Sequence, residues 1–139
     1  MILLDTNVVS EPLRQFPDAQ VVAWIDAQPL DTLFLSAITV AETRAGVALL
    51  PATKRRAGLQ QSLEKRVLPL FAGRVLPFDM GCTQAYAELM AKARASGLAV
   101  ATVDGYNAAI AAVNGLTVAT RDTGPFVAAS VTVINPWEA

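Results

Sequence analysis

A three-layer α/β/α domain with a central, mainly parallel sheet of about five short strands is what this sequence predicts, on three observations. Short apolar runs alternate with longer segments of helical spacing along the chain, and strands separated by helices imply right-handed crossovers and parallel pairing. The first run, Met1-Ile2-Leu3-Leu4, stops at the carboxylate of Asp5, as a buried central strand does when its end reaches a polar surface. Finally, 139 residues without repeat, linker or low-complexity tract are most simply one domain, residues 1–139, burying roughly two-thirds of the unfolded chain's surface.

Each element follows from local chemistry. After the first strand, Val8 to Leu13 suits a short helix before Pro17, and Asp18 is placed to cap a helix with Val21, Val22 and Ile25 on its apolar face, ending near Pro29. Thr32 to Leu35 is a second strand, closed by Ser36. Thr39 to Leu50 has helical spacing, with Val40, Thr43, Val47 and Leu50 on one face, and Pro51 ends it. Thr53 to Leu68 is a more polar helix carrying Lys54, Arg55, Arg56, Lys65 and Arg66, a pattern that a solvated face accounts for. Arg74 to Phe78 is a short strand, and Asp79 caps an Ala-rich helix that reaches Ser96 and stops at Gly97, with Tyr86, Leu89, Met90 and Ala93 as its buried stripe. Val103 or Asp104 opens another helix ending at Asn114-Gly115, a pair suited to left-handed geometry. Leu116 to Thr120 is a strand, Arg121 to Pro125 a break, and Val131 to Ile134 a last strand.

Composition narrows the chemistry. The chain is 53% hydrophobic and 17% charged, far from the disordered class. No run approaches the eighteen or so apolar residues of a membrane span, and Asp5 interrupts any ordinary secretory signal, so a cytoplasmic protein with no membrane partner is expected. The single cysteine, Cys82, cannot form an intramolecular disulfide, and a packed helix residue is its default role. Histidine is absent, which removes His-based triads, His-ligated zinc and imidazole bases. Carboxylate-only metal sites favour hard ions, Mg²⁺ or Mn²⁺. A net charge of -1 gives no global attraction to nucleic acid.

Four acids stand where sheet ligands bind. Asp5 and Asp122 each lie just past an apolar strand, and ligands of open α/β sheets sit at the strands' carboxyl ends. Glu42 and Asp104 fall near the starts of helices that should begin at the same edge. Each has a structural explanation taken singly: Asp5 as a helix cap, Asp122 as a turn residue, Glu42 as the partner of Thr39 in a capping box, Asp104 as a first-turn acid favoured by the helix dipole. Together they are harder to dismiss. Converging carboxylates raise one another's pKa unless cations neutralise them, and a divalent ion resolves the conflict. One or two such ions activate water for phosphodiester hydrolysis without histidine.

The pattern Leu3-Leu4-Asp5-Thr6-Asn7, Ser36 to Glu42, Gly97 followed by Asp104, and Val118-Ala119-Thr120-Arg121-Asp122 resembles the PIN domain family, and within it the VapC-type toxins of bacterial toxin–antitoxin pairs. Similar stretches at Ile2 to Arg14, Leu68 to Arg74 and Asn135 to Trp137 extend the resemblance over nearly the whole chain. It implies a three-layer PIN-like fold and a Mg²⁺- or Mn²⁺-dependent ribonuclease. By position, Asp5, Glu42, Asp104 and Asp122 match the catalytic, metal-binding acids, and Asn7 and Thr120 match polar residues that support them. A small DNA-binding antitoxin is the implied partner, linking the protein to DNA only indirectly, and homodimers are common in the family. Asn107 departs from the pattern, since an apolar residue often stands there; it shares a helix face with Asp104.

Two other readings compete. The chain could serve as the weakly active or inactive partner subunit of a DNA-binding repressor, as its slight negative charge allows. It could be a phosphatase or receiver, which also place acids after a first strand; however, Asp5-Thr6-Asn7 lacks the second Asp of an Asp-x-Asp phosphatase, and no Lys stands convincingly at a late strand end as a receiver requires.

Overall fold

The computed structural model describes residues 1–139. Its strands are β1 (Ile2–Leu4), β2 (Leu33–Ser36), β3 (Val75–Leu76), β4 (Thr117–Ala119) and β5 (Val133–Ile134). All pair in parallel in the order β3-β2-β1-β4-β5. β1 is central, with Leu3 beside Phe34 on one flank and Val118 on the other. The chain builds outward from β1 to β3, then crosses to the other flank for β4 and β5. The strand order therefore reverses between β1 and β4, and the carboxyl end of such a switch is where ligands bind.

Helices cover both faces: α1 (Thr6–Ser10), α2 (Ala19–Ala27), α3 (Ala37–Ala48), α4 (Lys54–Ser62), α5 (Met80–Ala95), α6 (Thr102–Asn114) and α7 (Thr123–Ala128). The two-residue period of β1 sends Leu3 into one core and Leu4 into the other. Leu3 joins Val118, Ala108 to Ala111 of α6, Leu89 of α5 and Phe126 of α7. Leu4 joins Ala119, Leu33, Leu35, the α1 residues Val8 and Val9, and Phe71. Both leucines are almost fully buried, each stabilising the fold by about 1.5–3 kcal/mol. On the first face α6 lies tightly on α5 because residue 105 is glycine; a Cβ there would stand 2.9 Å from Tyr86 Cε2.

Several elements depart from expectation. Helix α3 begins at Ala37 and not at Thr39, because Ser36, the last residue of β2, caps it by accepting from the Thr39 N–H at 2.9 Å. That corrects the capping-box account of Glu42, which sits well inside the helix. The polar helix keeps α geometry only to Ser62. Its next turn, Leu63–Val67, widens so that the Leu68 N–H reaches Leu63 O, and Pro69 then starts a 3₁₀ turn, Leu68–Phe71. The third strand shrinks to Val75–Leu76. The expected break at Arg121–Pro125 runs into α7, whose Pro125 occupies a first-turn position where no intrahelical N–H is required. Gly115 takes the left-handed conformation (φ 64°) that ends α6. No helix is long and apolar enough to cross a membrane.

Candidate metal centre

Asp5 leaves β1 with its backbone N–H on Ala119 O at 2.9 Å, so the strand pairing itself fixes where the carboxylate begins. Its side chain is buried and tied on three sides. Oδ1 accepts from the Thr6 N–H at 2.9 Å, capping α1, and from Asn107 Nδ2 at 3.4 Å. Oδ2 accepts from the Thr120 hydroxyl at 2.9 Å. The helix cap can thus also be a candidate site residue, because a carboxylate has about four lone-pair positions and these bonds use three.

Thr120 is completely buried and uses all it has. Its one proton goes to Asp5, while its oxygen accepts from the Asp122 N–H at 3.0 Å and from Asn7 Nδ2 at 3.4 Å. Asn7 Oδ1 in turn accepts from the Arg121 N–H at 3.3 Å. The end of β4 is thereby tied to the start of α1, and the turn that carries Asp122 is held above it. Asn107, also buried, bridges Asp5 to Ser36, whose hydroxyl donates to Asn107 Oδ1 at 2.6 Å. This one amide links the ends of β1 and β2 to α6.

The other three acids stand around this base. Glu42, on α3, accepts from the Thr6 hydroxyl at 2.6 Å, and the Thr39 hydroxyl lies 3.3 Å from the same oxygen of Thr6. Asp104 lies in the first turn of α6, a helix whose start has no side-chain cap. The carboxylates of Asp104 and Asp122 accept no hydrogen bond from the chain. Burial and then the charges of Asp5, Asp122 and Glu42 push Asp104 up from 3.8 to about 6. Burial also raises Asp5, partly opposed by its bonds to Thr6 and Thr120, with Glu42 and Asp122 adding to the rise. All four acids therefore share one electrostatic pocket.

No cation of the chain compensates them. Its two ion pairs, Arg14 with Glu11 and Arg44 with Glu64, include none of the four, and Arg121 lies over the Trp137 ring, 5.0 Å from its centroid. As placed, no three of the acids close around a single point tightly enough to hold an ion by themselves. Hard divalent ions such as Mg²⁺ keep several waters and use only one or two carboxylates directly, so an oxygen-only, strongly negative, uncompensated pocket suits them. The donor set fits such an ion and offers nothing to a soft one.

Sequence reasoning passed over Thr6, Ser36 and Thr39. The signal for Ser36 was the one applied to Asp5, a polar residue closing an apolar strand; Thr6 and Thr39 are visible only once α1 and α3 are docked. Glu11 was also missed. It is buried, accepts from the Asp18 N–H at 3.0 Å and from Arg14, and belongs to the α1–α2 connection, apart from the acid pocket.

A reversing parallel sheet with carboxylates gathered at its switch point defines a class. The PIN domain family matches residues 2–130, and the chain belongs to it. Among its relatives are the plasmid stability protein StbB of Pseudomonas syringae pv. tomato, 68% identical with all of both chains covered, and the VapC ribonuclease Y4jK of Sinorhizobium fredii, 58% identical over 99% of each. Toxin FitB of Neisseria gonorrhoeae is 56% identical, again over 99% of each chain. The crystal structure of FitAcB from that organism superposes with a TM-score of 0.97, at 55% identity and complete coverage of both chains. A structure of FitAB bound to an IR36 DNA fragment gives a TM-score of 0.96 at 55% identity, covering 99% of this chain and 96% of that one.

Proposed function

We propose that this protein is a Mg²⁺- or Mn²⁺-dependent endoribonuclease, the toxin of a type II toxin–antitoxin system, and that residues 1–139 form its single PIN domain. The observation that carries the reading is the pocket of four acids without a protein cation at the β1/β4 switch point. The names of Y4jK and FitB support the ribonuclease and toxin parts. The FitAB complex on DNA supports a small DNA-binding antitoxin as partner, through which the protein meets DNA indirectly. A homodimer in the cytoplasm completes the proposal.

In this reading Asp5 and Asp104 are the main ligands, with Glu42 and Asp122 completing the pocket. Bound there, the divalent ion supplies the Lewis acidity that activates water and offsets charge developing on phosphodiester oxygens. The chain's residues set the geometry. Thr120 and Asn107 hold the Asp5 carboxylate in one orientation, Thr6 holds Glu42, and Asn7 with Thr120 holds the turn bearing Asp122. Asp104, raised to about 6 by burial and by the neighbouring carboxylates, would hold such an ion in its deprotonated form.

The test is cleavage of RNA by purified protein in Mg²⁺ and in chelator, with products mapped by sequencing, beside Asp5→Asn. Cleavage in Mg²⁺ alone, absent from a folded Asp5→Asn variant, is expected; full activity in that variant rejects the assignment. A second reading, an inactive partner subunit within a repressor, is favoured by the DNA-bound FitAB structure. It requires that expression without antitoxin leave growth unaffected.

A further inference from the structure

Beside the acid pocket runs an open groove of about 300 Å³, with Thr6 and Glu42 at one end and Arg14, Gly46 and Arg55 along its walls. Unlike the acid pocket, it carries two guanidinium groups, Arg14 and Arg55, beside the Glu42 carboxylate. Resting on the ribonuclease reading, we propose that this groove seats a phosphate of the RNA strand flanking the scissile one, with Arg14 and Arg55 as substrate-positioning residues.

Two independent features support it. Arg14 is held in place from below, because the buried Glu11 carboxylate takes its Nη1 through both oxygens, at 3.3 and 3.2 Å. Glu11 is itself anchored by the Asp18 N–H. A guanidinium has five N–H donors in a fixed fork, and here Nε and Nη2 make no bond within the chain, leaving one edge for a phosphate. Arg55 shows the opposite condition. It forms neither a hydrogen bond nor an ion pair, and it stands with Lys54 and Arg56 in the first turn of α4, which carries no acid. The amino end of a helix already bears partial positive charge, so three cations there work against the fold and gain only if an anion is bound. Arg56 is partly engaged, donating to Leu50 O at 3.4 Å; Arg55 is free and lines the groove. The solvated-face account of the 53–68 helix holds for Lys65 and Arg66, which do not line the groove. Arg55 alone among that helix's basic residues lines the groove.

The geometry also gives the groove a job. The acid pocket and its ion engage one phosphodiester, whereas a flexible single strand needs a second anchor to lie in register. Arg121, next to Asp122 in the chain, is stacked over the Trp137 ring and is not part of the groove.

The decisive variant is Arg55→Gln, which disturbs no contact, with Arg14→Gln beside it and Arg94→Gln on α5 as a control away from the groove. Binding of a short labelled mixed-sequence oligoribonucleotide is measured in Ca²⁺, and its cleavage in Mg²⁺. We expect Arg55→Gln and Arg14→Gln to weaken binding about five- to tenfold and to lower the salt slope by about 0.7 each. kcat/KM should fall in step while kcat is kept, the mark of lost ground-state binding, and Arg94→Gln should match the wild type. Wild-type cleavage with Arg55→Gln indistinguishable from it overturns the groove assignment alone. Unchanged RNA binding with weakened antitoxin binding also overturns it, making the groove a seat for an acidic peptide. A wild-type protein that neither binds nor cleaves RNA rejects the ribonuclease reading and this one together.

Discussion

The floor and the rim of the acid pocket are built in opposite ways. On the floor, Asp5, Thr120, Asn107, Asn7 and Ser36 form a closed hydrogen-bond network in which the hydroxyl of Thr120 has every donor and acceptor position used. On the rim, the carboxylates of Asp104 and Asp122 bond to nothing in the chain, and Asp104 is held well above its ordinary value by burial and by like charge. The floor is satisfied from within the chain; the rim is open to solvent. Asp5 should therefore serve both stability and the proposed activity, whereas Asp104 and Asp122, with no bond to the chain, should serve the activity alone.

Asp104→Asn is the sharpest test of that division. Removing one ligand of a hydrolytic ion should cost several kcal/mol of transition-state stabilisation, about three orders of magnitude in cleavage rate. The metal-free protein should meanwhile be no less stable to denaturant at pH 7, since a disfavoured charge has gone. A large loss of stability would break the comparison. Thr120→Val should do the reverse in emphasis. It strands one oxygen of the buried Asp5 and removes the acceptor of the Asp122 N–H, lowering unfolding free energy by about 1–3 kcal/mol, measurable by urea titration, and it loosens Asp5 as well.

Acidity offers a third measurement. Asp5 and Asp104 both hold their protons more tightly in the folded protein than in the unfolded chain, where they titrate near 3.8. Their contribution to stability is therefore greatest below that value and falls as pH rises toward about 6, the folded value of Asp104. In chelator, the melting temperature should drop across this window more steeply for the wild type than for Asp104→Asn. Added Mg²⁺ should raise it more at pH 7 than at pH 5, because the ion competes with protons for the same oxygens; an equal rise at both would count against the acids as its ligands. Thr6→Val should have the smallest effect. Losing the donor to Glu42 frees that carboxylate to sample other rotamers, and a several-fold drop in cleavage with about 1 kcal/mol or less of stability is expected.

The division explains what was legible in the sequence. Asp5 and Asp122 could be found because a strand end is marked by the stop of an apolar run, and β1 and β4 keep that mark. The parallel sheet was legible for the same reason. Glu42 was found because its helix follows a strand and starts at the same edge; only the competing capping-box account fails, since Ser36 caps the helix three residues before Thr39. Helix α7 stayed hidden because Arg121-Asp122-Thr123-Gly124-Pro125 has the composition of a turn, and only the burial of Phe126 against the sheet makes those residues helical. Asn107 shows where reading along one chain stops. Its helix face could be deduced, but that its amide bridges Asp5 and Ser36 depends on how α6 docks at the ends of β1 and β2, which spacing along one chain does not give.

The position of β1 has a kinetic meaning. This strand is made before β4, yet its register pairs Leu4 with Ala119, so its second flank stays bare until β4 has left the ribosome. Closing so long a loop is entropically slow. Because the same closure brings Thr120 to Asp5, the acid pocket is among the last features to form. A nascent or truncated chain ending before β4 would expose an apolar strand edge and carry no complete pocket, so whatever activity the protein has is withheld until β4 has been made.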